Sequence, residues 1–303
     1  MRLALVLVCA HAAAAAAQQS GQRQVAVTFD DVPSVAVSRC TAGVARALNR
    51  RLLQAIERNG MPATALVVTG PDRCGADQLD VIVNAWLAAG HEVGSHTFGH
   101  RDVDTVPAAV YLADVERAHE RLAPLLSARG RQLRYFRHPF LHTGATRAKK
   151  DSLDRHLSSR GYRVAPVTID NQEWVFAEAY ARAQHAGDSA RVARILPAYL
   201  AHLDSSFAYY ERLSQRVFRR QIPQVLLLHA NQLNADHLDD VARLLRRRGY
   251  RFVSLRTALQ DSAYRQPDRY VGPRGLSWLQ RWALQRGVAF TREPREPAWL
   301  RTR

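Results

Sequence analysis

The chain has 303 residues, and its 47% apolar content is ordinary for a globular protein, enough to fill the core of one large α/β domain or two small ones. Its formal net charge is +16, nearly all from arginine. The basic residues are spread along the chain and no helix carries a basic stripe interleaved with aromatics, so nucleic-acid binding is set aside. The charge reads as solvated surface, with attraction to an anionic envelope or acidic polymer as the functional alternative.

In chain order, the first feature is a leader. Met1-Arg2 precedes the apolar run Leu3 to Ala10 and an alanine tract from Ala12 to Ala17. This is the pattern of a secretory signal peptide over residues 1–17, with a retained N-terminal anchor helix as the alternative. The run is short for a membrane span, which takes about 20 apolar residues, and nothing later reads as transmembrane. The chain is therefore expected to be exported, to the periplasm or outside the cell, without stable membrane insertion. Beyond the leader only Cys40 and Cys74 remain. An even pair in an exported protein suggests one disulfide, which stabilises by roughly 3–4 kcal/mol, the alternative being two free buried thiols.

Short β-branched runs then alternate with amphipathic stretches. Val25–Phe29, Ala63–Val68, Glu92–Ser95, Leu133–Phe136, Arg163–Ile169, Val225–Leu228 and Arg251–Ser254 read as buried strands. Helices are expected over Thr41–Asn59, Asp77–Ala89, Pro107–Leu126, Thr146–Arg160 and Ala235–Arg248. Gly60, Gly90, Gly130, Gly161 and Gly249 each follow a helical stretch and precede a strand, the C-cap position. Helix, glycine, strand, five times over, argues for parallel strands joined by helical crossovers. The expected fold is α/β, a distorted (β/α) barrel of about seven strands, TIM-like, over residues 18–265, with an open doubly wound sheet as competitor. Residues 188–220 read as a helical insertion. Residues 266–303, rich in Pro, Arg and Trp, read as a final helix near Leu276–Gln285 and a tail packed on the barrel.

Chemistry collects at strand ends, where parallel α/β folds place it. The first strand ends in Asp30-Asp31 and the third in His96, with His100 four residues on. The fourth ends in Arg137 and the next in Asp170, while Val225–Leu228 runs into His229. His96 and His100 can face one cation if the segment makes a helical turn. Neutral imidazole suits zinc or a similar divalent metal, and a carboxylate from the first strand would leave the set open for water. Separately, each feature has a plainer reading: a helix cap, a solvent-facing histidine pair, a surface arginine, a core histidine. Five strand ends delivering such groups in register argue otherwise.

Thr28-Phe29-Asp30-Asp31-Val32-Pro33, His96-Thr97-Phe98-Gly99-His100, Arg137-His138-Pro139-Phe140, Asp170 with Trp174, and Leu227-Leu228-His229 resemble the five ordered motifs of the polysaccharide deacetylases. These are the NodB-homology group, carbohydrate esterase family four, and the resemblance runs from about residue 24 to 256. It implies metal-assisted removal of N-acetyl groups from an N-acetylated glycan: peptidoglycan, an exopolysaccharide or a chitin-like oligomer. Carried over residue by residue, Asp31, His96 and His100 would hold the metal, zinc first, with cobalt or nickel as options. Asp30 would act as general base, with Arg137 as its partner. His229 would act as general acid, tuned by Asp170. The backbone N–H of Phe140 would stabilise the oxyanion, and Trp174 and Leu227 would line the acetyl pocket. Val32, Phe140 and Glu173 stand where the family usually has glycine, tyrosine and aspartate, which marks a divergent branch. The alternatives are a hydrolase of non-sugar linear or cyclic amides on the same barrel, and a non-catalytic carbohydrate-binding protein.

Overall fold

The computed structural model describes residues 22–35, 40–70 and 78–301. The leader read over 1–17 and Cys74 lie outside these residues. β1 (Arg23–Val32) is followed by α1 (Ala42–Arg58), β2 (Ala63–Val67), α2 (Leu79–Ala88), β3 (Glu92–Ser95), α3 (Ala108–Ser127), β4 (Tyr135–Phe136) and α4 (Arg147–Ser159). Then come β5 (Arg163–Val164), α5 (Glu173–Ala186), α6 (Ser189–Phe218), β6 (Gln224–His229), α7 (Gln232–Arg247), β7 (Tyr250–Phe252) and α8 (Trp278–Gln285).

All strand pairs are parallel, in the order β5-β4-β3-β2-β1-β6, with β7 joined to the start of β1. The sheet curls into a half-barrel, and a short extended stretch after β5 stitches its edges together. The N–H groups of Thr168 and Ile169 both donate to Val225 O at 3.0 Å, and Leu227 N–H donates to Ile169 O at 3.1 Å. This closure rules out the open doubly wound sheet. It also explains why the expected strand Arg163–Ile169 shortens to two residues: its second half leaves β4 to reach β6.

β1 shows how the sheet divides its side chains. Val25, Val27 and Phe29 point into the layer beneath the helices, where Phe29 lies 5.8 Å from the buried Trp86 ring. Ala26 points the other way, into a smaller cluster with Tyr135, Ala165 and Val225. Alternation then carries Thr28 and Asp30 up the same inner face toward the carboxyl ends of the strands. The helix starts follow the sequence signals, with Thr41, Thr146 and Asn231 each accepting a capping hydrogen bond at the head of α1, α4 and α7. The glycine punctuation holds as well, as at Gly60 (φ 53°) and Gly249 (φ 79°).

Two elements differ from expectation. α5 has no counterpart in the sequence reading, because it is buried on most sides and only a narrow exposed stripe, Trp174, Glu178 and Arg182, marks it. The expected insertion is a single 30-residue helix, α6, that packs against α5 and α8. The C-terminal region is part of the core: Trp278, Leu279, Trp282 and Leu300 are buried with the main cluster. No helix among the described residues is long and apolar enough to cross a membrane. Cys40 is disulfide-bonded.

Candidate active site

β1 supplies two adjacent carboxylates, and a regular strand would point them to opposite faces. The register against β2 shifts between Phe29 and Val32, and Asp31 takes a left-handed conformation with φ 59°. A bulge of this kind re-aims side chains next to a site. Here it brings both Asp30 and Asp31 to one cavity. Asp30 sits directly across from His229 in the β1–β6 register, so the two groups flank the same opening.

The histidine segment brings its two rings together without a helical turn. Residues 96–100 form an irregular loop with Thr97 at φ 69° and His100 at φ 51°. Such conformations are costly for residues other than glycine and need support. The buried carboxylate of Asp114, on α3, supplies it by accepting from the backbone N–H groups of Phe98 and Gly99 at 3.1 and 2.9 Å. His96 Nδ1 lies 2.8 Å from Arg137 O, so that nitrogen donates and Nε2 is left as the ligand atom. Burial, partly offset by Asp30 and Asp31, lowers the His96 pKa and keeps the ring neutral. His100 Nε2 lies 3.3 Å from Asp31 Oδ1.

Arg137 is wholly buried inside the half-barrel. Its Nη1 donates to Asp30 Oδ1 at 2.5 Å and to Thr28 Oγ1 at 2.8 Å, while Nε and Nη2 donate to the carbonyls of Ala165 and Pro166. A buried guanidinium is tolerable only with its donors satisfied in this way. Arg137 thereby holds one oxygen of Asp30. The other, Oδ2, faces His96 Nε2 at 3.7 Å.

His229 hydrogen-bonds Glu173, while Asp170, expected to tune it, lies close enough for its charge to interact with His229. His229 Nδ1 lies 2.8 Å from Glu173 Oε2, and the amides of Asn231 and Asn234 donate to Glu173 Oε1. Burial alone would lower the His229 pKa, but the hydrogen bond and charge of Glu173, with Asp31 and Asp30, raise it to about 9. Asp170 instead accepts from the backbone and side chain of Gln172. Burial, helped by nearby Glu293, pushes its carboxyl up to about 6. Glu173 was legible as the acidic residue immediately before Trp174. Asn231, Asn234 and Asp114 carried no separate sequence signal.

Asp30, Asp31, His96, His100, Asp170 and His229 line a cavity of about 490 Å³, which Phe140, Leu141, Trp174, Glu178, Leu227 and Gly275 also border. Phe140 is 54% exposed at the rim, and its ring packs edge-on against His100 at 4.8 Å. Ligand atoms of Asp31, His96 and His100 lie within 4.8 Å of one another. Two imidazoles, one with its protonated nitrogen already committed, and one carboxylate form a donor set that fits zinc, and also cobalt or nickel. A second cluster, Asp102, Asp104 and His142, is half-exposed and paired within itself: His142 Nδ1 lies 2.9 Å from Asp102 Oδ1. Asp104 accepts from Ala145 N–H, so this cluster staples two loops.

Fold and site together define an α/β half-barrel with an Asp/His donor set, a buried Arg–Asp pair and an Asp–His pair facing each other across the opening. A sequence model of the polysaccharide deacetylase family matches residues 17–164, which include Asp30, Asp31, His96, His100, Arg137 and Phe140. A curated chitin deacetylase from a Pestalotiopsis species is 28% identical over 149 residues, 49% of this chain and 43% of that protein. The chain thus aligns with less than half the length of that relative. The polysaccharide deacetylase of Bacillus cereus has the same fold, with a TM-score of 0.51 at 17% identity over 77% of this chain and 92% of that one. A carbohydrate esterase family four pseudoenzyme from Bacillus anthracis gives 0.50 at 15% identity, covering 78% and 66%. Residues 17–164 are thus similar to the polysaccharide deacetylase family, and the described residues share the fold of a solved polysaccharide deacetylase. Asp170, Glu173, Trp174, Leu227 and His229 lie beyond the stretch the family's sequence model covers; the fold brings them to the site.

Proposed function

We propose that this protein is a metal-dependent hydrolase that removes N-acetyl groups from the amino sugars of an exported glycan, chitin-like or peptidoglycan. The observation that carries the reading is the placement of Asp30 and His229 on facing register positions, each backed by its own buried partner, on either side of the Asp31–His96–His100 donor set. Amide hydrolysis needs a water deprotonated on one side and a proton delivered to a poor amine leaving group on the other. A binding protein needs neither.

Asp31, His96 and His100 would hold the metal, which when bound supplies Lewis-acid chemistry, polarising the scissile carbonyl and acidifying water. Arg137 occupies Oδ1 of Asp30, which leaves Oδ2 to take the proton of the attacking water. The backbone N–H of Phe140 donates to the developing oxyanion. Trp174 and Leu227 enclose the acetyl methyl, with Trp174 oriented by its Nε1–H donating to Gln172 Oε1 at 3.2 Å. Glu173 fixes Nδ1 of His229 as the protonated nitrogen, so that Nε2 gives its proton to the departing nitrogen. With a metal held by Asp31, His96 and His100, Glu173 would remain the dedicated partner of His229.

Residues 1–17 direct export in this reading, and the basic surface suits an anionic envelope. The test is a panel of N-acetylglucosamine oligomers, peptidoglycan fragments, and linear and cyclic non-sugar amides, each incubated with the purified protein plus zinc, cobalt or nickel. Acetate release from the oligomers or peptidoglycan is the expected result. Turnover confined to the non-sugar amides would overturn the glycan assignment while leaving the hydrolytic site intact.

A further inference from the structure

The Phe140 segment is held in an unfavourable shape by a part of the chain far beyond the residues matched by the family's sequence model. Phe140 (φ 59°, ψ 10°) and Leu141 (φ 56°) are consecutive non-glycine residues in the left-handed region. L-residues disfavour that region sterically, so two in a row need an outside constraint. Two contacts from the C-terminal segment provide one. A Cβ built on Gly275 would lie 2.0 Å from Phe140 O, so backbone meets backbone there with no room for a side chain. Arg281, only 2% exposed, reaches Leu141 O through Nη2 and Thr143 Oγ1 through Nη1.

Arg281 is itself fixed. Its Nη1 also donates to Asp268 Oδ2 at 2.6 Å, its Nε donates to Leu276 O at 2.9 Å, and its guanidinium lies 4.1 Å from the Trp278 ring centroid. Trp278 N–H donates to Val167 O at 2.7 Å, tying the start of α8 to the stretch that closes the half-barrel. The chain thus runs from the barrel seam, through α8 and Arg281, to the carbonyls of Phe140 and Leu141. From the opposite side, the Phe140 ring packs on His100.

We propose that Gly275 and Arg281 are positioning residues: the C-terminal segment clamps Phe140 and Leu141 in their left-handed conformation, and so aims the Phe140 N–H and the Phe140 ring into the site. The proposal rests on the hydrolase reading above for what that N–H does, and on geometry alone for the clamp. It makes residues 266–301 a working wall of the active site.

The test uses the full-length protein and the variants Gly275→Ala and Arg281→Lys, with circular dichroism and thermal melts to establish folding. Arg281→Lys keeps the charge and loses the fork, which covers the case in which Gly275→Ala fails to fold. With the wild type active, a folded variant should lose roughly ten- to a hundredfold in kcat while KM changes little, because the misplaced donor acts in the transition state. A folded variant with wild-type kcat would overturn the proposal. Crystal structures of the variants give a readout independent of turnover: Phe140 should leave the left-handed region, and φ held near its wild-type value in both would overturn the clamp. A wild type that releases no acetate from any glycan would sink the hydrolase reading, and the torsion of Phe140 would still decide the clamp.

Discussion

At the scale of single residues, the site separates two neighbouring carboxylates by giving them different partners. Asp30 has Arg137 on one oxygen and faces His96 with the other, Asp31 pairs with His100, and the bulge in β1 makes the division possible. Asp30→Asn should therefore abolish turnover by about a thousandfold or more while zinc content, read by atomic absorption, stays near that of the wild type. Asp31→Asn should lose zinc instead; metal loss in Asp30→Asn with turnover intact in Asp31→Asn would mean the roles are exchanged. Glu173 gives a second prediction, through pH. It raises the His229 pKa, and His229 must be protonated to act as an acid, so activity falls as pH rises through the His229 pKa. Glu173→Gln removes the raising charge and should move the alkaline limb of the kcat profile downward by about one pH unit or more. A limb that stays in place would assign it to another group. Most of these residues were legible as strand-end chemistry. The exception was the partner of His229: Asp170 and Glu173 are three residues apart on either side of the start of α5, and only the fold shows which carboxylate reaches the ring.

At the scale of elements, the spacing of His96 and His100 allowed a shared ligand role given a helical turn, and the structure brings the two together without one. The loop reaches the same proximity through left-handed residues braced by Asp114, a long-range contact that no local pattern announces. Asp114→Ala should weaken zinc binding by roughly ten- to a hundredfold, measured by competition with a chelating dye, because ligand orientation depends on that brace. Unchanged affinity would show that the loop holds its shape without it. Strand and helix order were readable from β-branched runs and glycine stops. α5 was not, since a helix buried on most sides keeps only a narrow polar stripe, and the half of the fifth strand that crosses to β6 has no sequence signal for changing partner.

At the scale of the whole molecule, the core is completed by residues well beyond the last strand. α8 and Leu300 bury large side chains in the main core, and Trp282 stacks edge-on with Phe218 and Tyr264 at 5.4 and 5.6 Å. Trp282→Ala should cost about 3–5 kcal/mol in urea-induced unfolding, as for a large buried aromatic. A loss under about 1 kcal/mol would return this region to the surface tail suggested by its composition. The Pro- and Arg-rich sequence hid that role, because burial of Trp278 and Trp282 depends on α6 and on the barrel seam, both distant in sequence. The measurement that tests the central claim most directly is acetate release from N-acetylglucosamine oligomers by the purified chain, zinc-loaded and after metal stripping, with Asp30→Asn alongside. Release by the loaded wild type, its loss on stripping, its return with zinc and its absence in the loaded variant are the outcomes predicted. Release that survives stripping, or that Asp30→Asn retains, would contradict the assignment of this cavity as a metal-dependent deacetylase site.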